Sequence, residues 1–260
     1  MSTIDFKPGL IQGGRAPGYE TYKHASHFRT KDEEFDACKT GMWLFLATEV
    51  LLFAGIFVWY SIYRMMYPDA FRNGSSYLDW RWGGLNTVVL LISSYTMAMS
   101  INHFQHNRQK EARRNLVITL VCGALFVAIK LLMEYIPKMT GWHFDPTMSH
   151  AGGEALTKFG GLFYFEQGYG GKLPGILFSY PFATDPHENM WWSLYYTGTG
   201  LHAAHVLIGM ALIARVWWFS RPGVENYGPK HYTGVEMAGL YWHIVDLIWI
   251  FLFPLLYLIH

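Results

Sequence analysis

Apolar residues along this chain gather into five long runs separated by polar connections. The runs cover about Gly41–Tyr63, Gly83–His103, Leu116–Ile136, Met190–Phe219 and Val235–Ile259. Crossing roughly 30 Å of hydrocarbon takes about 20 helical residues, and each run reaches that length. Helices at the surface of a water-soluble core keep a polar face, whereas these runs are apolar nearly all round. The pattern predicts an all-α polytopic membrane bundle of five transmembrane helices. The chain then divides into a polar arm over 1–40, three spans within 41–137, a long connection over 138–189, and two spans within 190–260.

Basic residues in short loops mark the cytoplasmic side of a membrane protein. Arg108, Lys110, Arg113 and Arg114 separate the second and third runs, and Lys23, Arg29, Lys31 and Lys39 precede the first. Arg221 and Lys230 follow the fourth. Arg64, Arg72 and Arg81 in the first connection run the other way. The balance predicts a cytoplasmic N-terminus and a periplasmic C-terminus. Trp191, Trp192, Tyr195 and Tyr196 open the fourth run and Trp217, Trp218 and Phe219 close it, as the aromatic belts of a bilayer interface would.

Composition sharpens this reading. The chain is 52% hydrophobic and 15% charged, against about 25% charged in globular proteins. A formal net charge of +1 gives no field that would draw nucleic acid. Cys38 and Cys122 share no CxxC spacing, so neither a thiolate metal site nor a disulfide is expected. The first 40 residues lack an apolar core segment, so no cleavable signal peptide is expected and the arm reads as loosely ordered. The 138–189 connection exceeds the 12–15 residues beyond which loops are usually functional or disordered. Its aromatic content (GGLFYFEQGYGGKLPG) points to a folded external cap that touches a partner.

Glu49, His202, His205, Glu236, His243 and Asp246 interrupt the apolar runs. An ionisable group at membrane depth costs roughly 2.5–3.5 kcal/mol on insertion scales and nearly always faces the bundle interior. Glu49 lies roughly 12 Å beyond Gly41 at about 1.5 Å per residue. Gly198, His202, His205 and Gly209 share one helical stripe, and Glu236, Gly239, His243 and Asp246 share another. Small residues beside polar ones let membrane helices approach and hydrogen-bond. Lys130 and Glu134 have the spacing of an ion pair near the end of the third run.

Three chemistries fit these residues. One is an interhelical hydrogen-bond network that fixes packing. Another is a metal or haem site, with His202 or His243 as candidate ligands, although di-iron bundles use Glu-x-x-His and this chain has His-x-x-His and His-x-x-Asp. The third is proton handling by buried carboxylates and histidines. A transporter would show an inverted repeat or broken helices, and the sequence shows neither.

Three motifs carry a family resemblance: GMWLFLATEVLLF at Gly41–Phe53, YYTGTGLHAAHVLIG at Tyr195–Gly209, and GVEMAGLYWHIVDLIWIFLF at Gly234–Phe253. They resemble, in order, segments of subunit III of the haem–copper terminal oxidases, in its five-helix bacterial form. The resemblance implies a non-catalytic subunit of a cytochrome c oxidase in the bacterial inner membrane. Such a complex couples aerobic respiratory electron transport to proton translocation. It also implies that haem and copper sit on partner subunits and none on this chain. Glu49 matches a family glutamate that reacts with a carbodiimide. His202, His205, Glu236, His243 and Asp246 then read with it as buried polar, proton-side residues.

By the same resemblance the chain packs on oxidase subunit I, supports proton uptake and binds phospholipid. Arg215, Arg221, Lys230 and His231 are the candidate lipid contacts, and only His231 stands where the family often has a histidine. The 138–189 connection departs from the family pattern and leaves room for an external partner, such as a cytochrome c domain or a donor complex. Quinol oxidases and nitric-oxide-reductase-associated members share these motifs. A stand-alone His-ligated membrane metalloprotein is the competing class.

Overall fold

A computed structural model of the chain describes residues 17–144, 157–158, 163–166, 170, 172 and 185–259. Among them, five helices are long and apolar enough to cross a membrane. These are α2 (Lys31–Met66), α4 (Trp80–Gln105), α5 (Gln109–Ile129) with its continuation to Thr140, α7 (Glu188–Phe219) and α8 (Thr233–Tyr257). Short helices α1 (Gly18–Thr21) and α3 (Pro68–Ser76) sit in connections. The chain is an all-α multi-pass membrane protein, as the five apolar runs predict.

Helix α2 starts ten residues before its apolar run, inside the stretch assigned to the polar arm. The Glu33 N–H donates to Thr30 Oγ1 at 3.1 Å, while Glu33 Oε2 accepts the Arg29 N–H at 2.8 Å. That is a helix-starting cap of the Thr-x-x-Glu kind. Asp32, Glu33 and Glu34 fill the first turn, where carboxylates suit the helix dipole. The apolar pattern marks where α2 enters lipid, and the cap marks where it begins. Leu44, Leu51 and Met65 are 68%, 71% and 85% exposed, an apolar face suited to hydrocarbon rather than water.

The arm is also anchored. Tyr19 is buried and donates to Asn107 Oδ1 at 3.1 Å, and the Gly18 N–H donates to Val224 O. A Cβ at Gly228 would sit 2.6 Å from the Tyr19 ring, so glycine lets this aromatic dock on the backbone. Residues 1–16 of the arm lie outside the described residues.

The third span changes its winding near its end. Lys130–Tyr135 form a π-helical turn, and the Ile136 N–H reaches back five residues to Leu131 O. Pro137 follows immediately. A proline ring clashes with the carbonyl four residues earlier and has no N–H to offer it, and a wide turn relieves both problems. Helix α6 (Ile136–Thr140) completes the span and stops at Gly141, whose φ of +77° is the left-handed cap glycine adopts easily.

Beyond it, strands β1 (Trp142–Phe144), β2 (Thr157–Lys158) and β3 (Phe163–Phe165) form a small antiparallel sheet in the order β1-β3-β2. Trp142 pairs with Phe165 and Phe144 with Phe163. Most of the expected cap lies outside the described residues.

Contacts group the chain into two compact units. One draws on Met1–Glu49, Leu91–Cys122 and Val206–Val245; the other draws on Val50–Leu90, Gly123–His205 and Asp246–His260. In the first, Trp242 Nε1–H donates to Ser93 Oγ at 3.1 Å, Thr96 and Thr119 hydroxyls meet at 2.7 Å, and Gly209 faces the Trp242 ring. In the second, Trp249 Nε1–H donates to Thr87 Oγ1 at 3.1 Å and Ser75 Oγ to Leu256 O at 3.0 Å. Hydroxyl-to-helix contacts of this kind hold membrane helices together where apolar burial gives little drive.

Candidate functional site

The most heavily built polar site in the second unit is one that sequence spacing only touches. Lys130, Glu134 and Lys138 recur every fourth residue, so they share a face of the third span. All are buried, at 3%, 1% and 2% exposure. Lys130 Nζ lies 2.6 Å from Glu134 Oε2 and also donates to the Tyr257 hydroxyl. The same carboxylate accepts from Tyr195 OH at 2.6 Å and from Tyr257 OH at 2.5 Å. Rings surround the ammonium: the centroids of Trp249, Tyr257 and Tyr195 lie 4.9, 4.9 and 5.2 Å from Lys130 Nζ. A desolvated cation gains from such π faces.

The cluster therefore ties the third span to α7 through Tyr195 and to α8 through Tyr257. A buried charge pair is tolerable only when hydrogen bonds complete it, and here two phenols do so. The Lys130–Glu134 spacing points to the ion pair. The phenol partners, 61 and 123 residues distant from Glu134, carry no signal in the sequence. The lysine at the third position of the same stripe was the available clue.

His202 is 1% exposed and packs between rings, 5.2 Å from the Trp249 centroid and 5.6 Å from that of Phe126. Neither of its ring nitrogens has a hydrogen-bond partner among the described residues. His205 is half-buried, donates from Nδ1 to Leu201 O at 2.8 Å and meets the Phe53 ring edge-on at 5.4 Å. Asp246 is 3% exposed and lies one turn from Trp249 on α8.

In the first unit, His243 Nδ1 lies 2.7 Å from Ser94 Oγ, which joins α8 to α4. Glu236 accepts from Lys39 Nζ at 2.8 Å, which joins α8 to α2. Glu49 is half-buried. Thus the structure distributes the ionisable residues over separate helix seams: Glu49, Glu236 and His243 in one unit, His202, His205 and Asp246 in the other. Among the described residues, no group of three or more His, Cys, Asp or Glu side chains is placed to hold a metal ion.

Of the basic candidates, Arg215 and Arg221 are exposed, with guanidinium carbons 5.2 Å from the Phe219 centroid and 4.5 Å from the Trp218 centroid. Lys230 and His231 line a cavity of about 350 Å³ together with Tyr22, Lys31 and Glu34. Tyr22 stacks on His231 with centroids 3.6 Å apart and donates to Glu34 at 2.9 Å. Burial, then the Glu34 carboxylate, push the Tyr22 phenol up to about 12. Burial lowers the His231 pKa, only partly offset by Glu34.

Near the other cluster, Lys172 is 1% exposed and lies over the Tyr77 ring at 4.2 Å. Its N–H donates to Lys138 O and its carbonyl accepts from Tyr196 OH at 2.6 Å. Burial brings its amine down to about 8.

Comparison with known proteins adds an independent line. The family model for cytochrome c oxidase subunit III matches residues 181–260. Cytochrome c oxidase subunit 3 of a Synechocystis species is 30% identical over 220 residues, covering 84% of this chain and 74% of the relative. The Thermostichus vulcanus protein of the same name is 30% identical over 84% of this chain and 86% of its own length. That of Scyliorhinus canicula is 25% identical over 228 residues, covering 84% of this chain and 67% of its own length.

Proposed function

The chain belongs to the cytochrome c oxidase subunit III family, and from that premise we propose that it is the non-catalytic third subunit of a bacterial haem–copper terminal oxidase. The observation that carries this reading is the pairing of family-level identity over 84% of the chain with five continuous apolar helices. In this reading the chain packs on the haem–copper subunit I, and haem and copper reside on partner subunits. Two of its histidines support the assignment by their occupations: His243 bonds a serine hydroxyl and His205 bonds its own helix.

The proposed setting is the bacterial inner membrane, with the N-terminus in the cytoplasm and the C-terminus in the periplasm. Glu49, His202, His205, Glu236, His243 and Asp246 act there as packing and proton-side residues that support proton uptake by the complex. Residues 138–189 face the periplasm and offer the contact for a cytochrome c domain or a donor complex.

The inner basic residues bind lipid phosphate. Lys230 and His231 open onto one cavity with Lys31, and cationic clusters beside a span attract anionic headgroups. Arg221→Ala and Lys230→Ala should each lower the phospholipid that co-purifies with the complex and shorten its active lifetime during turnover. Unchanged lipid content and lifetime would remove these residues from the site.

A further inference from the structure

A second cavity, of about 270 Å³, opens beside the buried charge cluster, where α4 begins and α6 ends. Tyr77, Trp82 and Tyr164 contribute aromatic walls, and Asp79 and Lys138 contribute opposite charges. The lysine is 2% exposed. Its ammonium has three donors to place. Among the described residues the acceptors it reaches are the Glu134 backbone oxygen at 3.4 Å and the Glu134 carboxylate at 3.8 Å, and the Tyr195 ring centroid lies 5.6 Å away. Both oxygen distances exceed the 2.7–3.2 Å of an ordinary N–H···O bond. Glu134 cannot turn to it, because Lys130, Tyr195 and Tyr257 hold its carboxylate at 2.5–2.6 Å.

Asp79 is the mirror case. One oxygen accepts the Arg81 N–H at 2.9 Å, at the start of α4, and the side chain makes no other hydrogen bond among the described residues, although its charge acts on Lys138 from a distance. One cavity thus holds a buried cation short of acceptors and, at its mouth, an exposed carboxylate with one backbone partner. A buried charge needs its hydrogen bonds completed.

The occupant that completes both is a zwitterion with its anion inside and its cation at the mouth. The place narrows the choice. The cavity lies at the ends of membrane-crossing helices, the level at which headgroups and interfacial aromatics sit. Its volume falls below the roughly 300 Å³ at which pockets for drug-sized ligands begin, which suits a headgroup whose acyl chains stay in the bilayer.

We propose that this cavity binds the phosphoethanolamine headgroup of an aminophospholipid. The phosphate accepts from Lys138, and the primary ammonium donates to Asp79 beside the Trp82 and Tyr77 rings. A choline headgroup has no N–H for Asp79, and a glycerol headgroup brings no cation. The orientation proposed above puts the site in the outer leaflet, but the headgroup chemistry does not depend on it.

The test uses the purified complex, delipidated and offered phosphatidylethanolamine, phosphatidylcholine or phosphatidylglycerol in detergent, with retained lipid counted by native mass spectrometry. Wild type should retain phosphatidylethanolamine at least fivefold over the other two. Asp79→Asn keeps an acceptor for the Arg81 N–H but loses the charge, and should abolish that preference while leaving phosphatidylglycerol retention unchanged. Lys138→Met should lose retention at this site; if that variant fails to assemble, Asp79→Asn decides alone. Equal retention of the three lipids by wild type, or an unaltered preference in Asp79→Asn, overturns the proposal. Binding of soluble glycerophosphoethanolamine without retention of the lipid overturns the lipid as its source.

Discussion

Glu134 Oε2 lies 2.6 Å from Lys130 Nζ in a site where both residues are almost wholly buried. The two charges sit one turn apart on a π-helical segment, and phenols from α7 and α8 complete their hydrogen bonds. Removing one member of a buried pair strands the other charge and costs about 3–5 kcal/mol, whereas replacing both by apolar residues is often neutral. Glu134→Ala should therefore destabilise the chain by about that amount. Lys130→Met combined with Glu134→Leu should recover only part of the loss, because Lys138 and the two phenols are then left without the carboxylate. Thermal unfolding in detergent, compared among the three variants, checks the sign and the order.

The α7–α8 seam makes a different demand. A Cβ added at Gly209 would stand 2.8 Å from the Trp242 ring, and that indole is fixed by Ser93. Gly209→Val should force the helices apart, with an overpacking cost of about 1–3 kcal/mol. The expected readout is a lower yield of assembled complex, measured by native gel. Gly55, where an added Cβ meets nothing within 4 Å, supplies the control, and Gly55→Ala should assemble normally.

The docking of the arm should depend on pH. His231 stacks on Tyr22 at 3.6 Å, and burial lowers its pKa below the ordinary 6.5. An undocked His231 binds its proton more tightly than a docked one, so docking is fully favoured above about 6.5 and weakens as pH falls from there toward the lowered value. Hydrogen–deuterium exchange over residues 17–30, corrected for intrinsic rates, should rise between about pH 7 and pH 5. His231→Phe keeps a ring for the stack and should remove that dependence.

Much of this fold is legible in the sequence, for reasons that also define where legibility stops. Twenty apolar residues in a row leave a bilayer-crossing helix as the simplest outcome, and all five runs became spans. Helix ends are governed by other chemistry. Thr30 and Glu33 start α2 well outside lipid, and Pro137 widens the third span into a π turn that only the backbone reveals. The nine-residue α3 carries too few apolar positions to declare itself, although Pro68 at its first position is a start signal.

At the site, spacing identifies pairs within one helix, such as Lys130 with Glu134. It is silent on Tyr195, Tyr257 and Ser94, because those partners arrive from other helices. The two histidine-bearing stripes illustrate the limit. Each reads as one polar patch, yet His243 bonds Ser94 on α4 while Glu236 bonds Lys39 on α2.

The central claim is that this chain serves a redox complex without holding its redox centres. The direct measurement is to purify a tagged form from its native membrane in mild detergent, identify the companion polypeptides by mass spectrometry, and quantify haem and metal in the complex and in the separated chain. The account predicts co-purification with a haem–copper catalytic subunit, and neither haem nor metal on the chain once separated. A chain isolated alone with stoichiometric haem or metal would contradict it and turn attention to His202, His205, His243 and Asp246 as ligands.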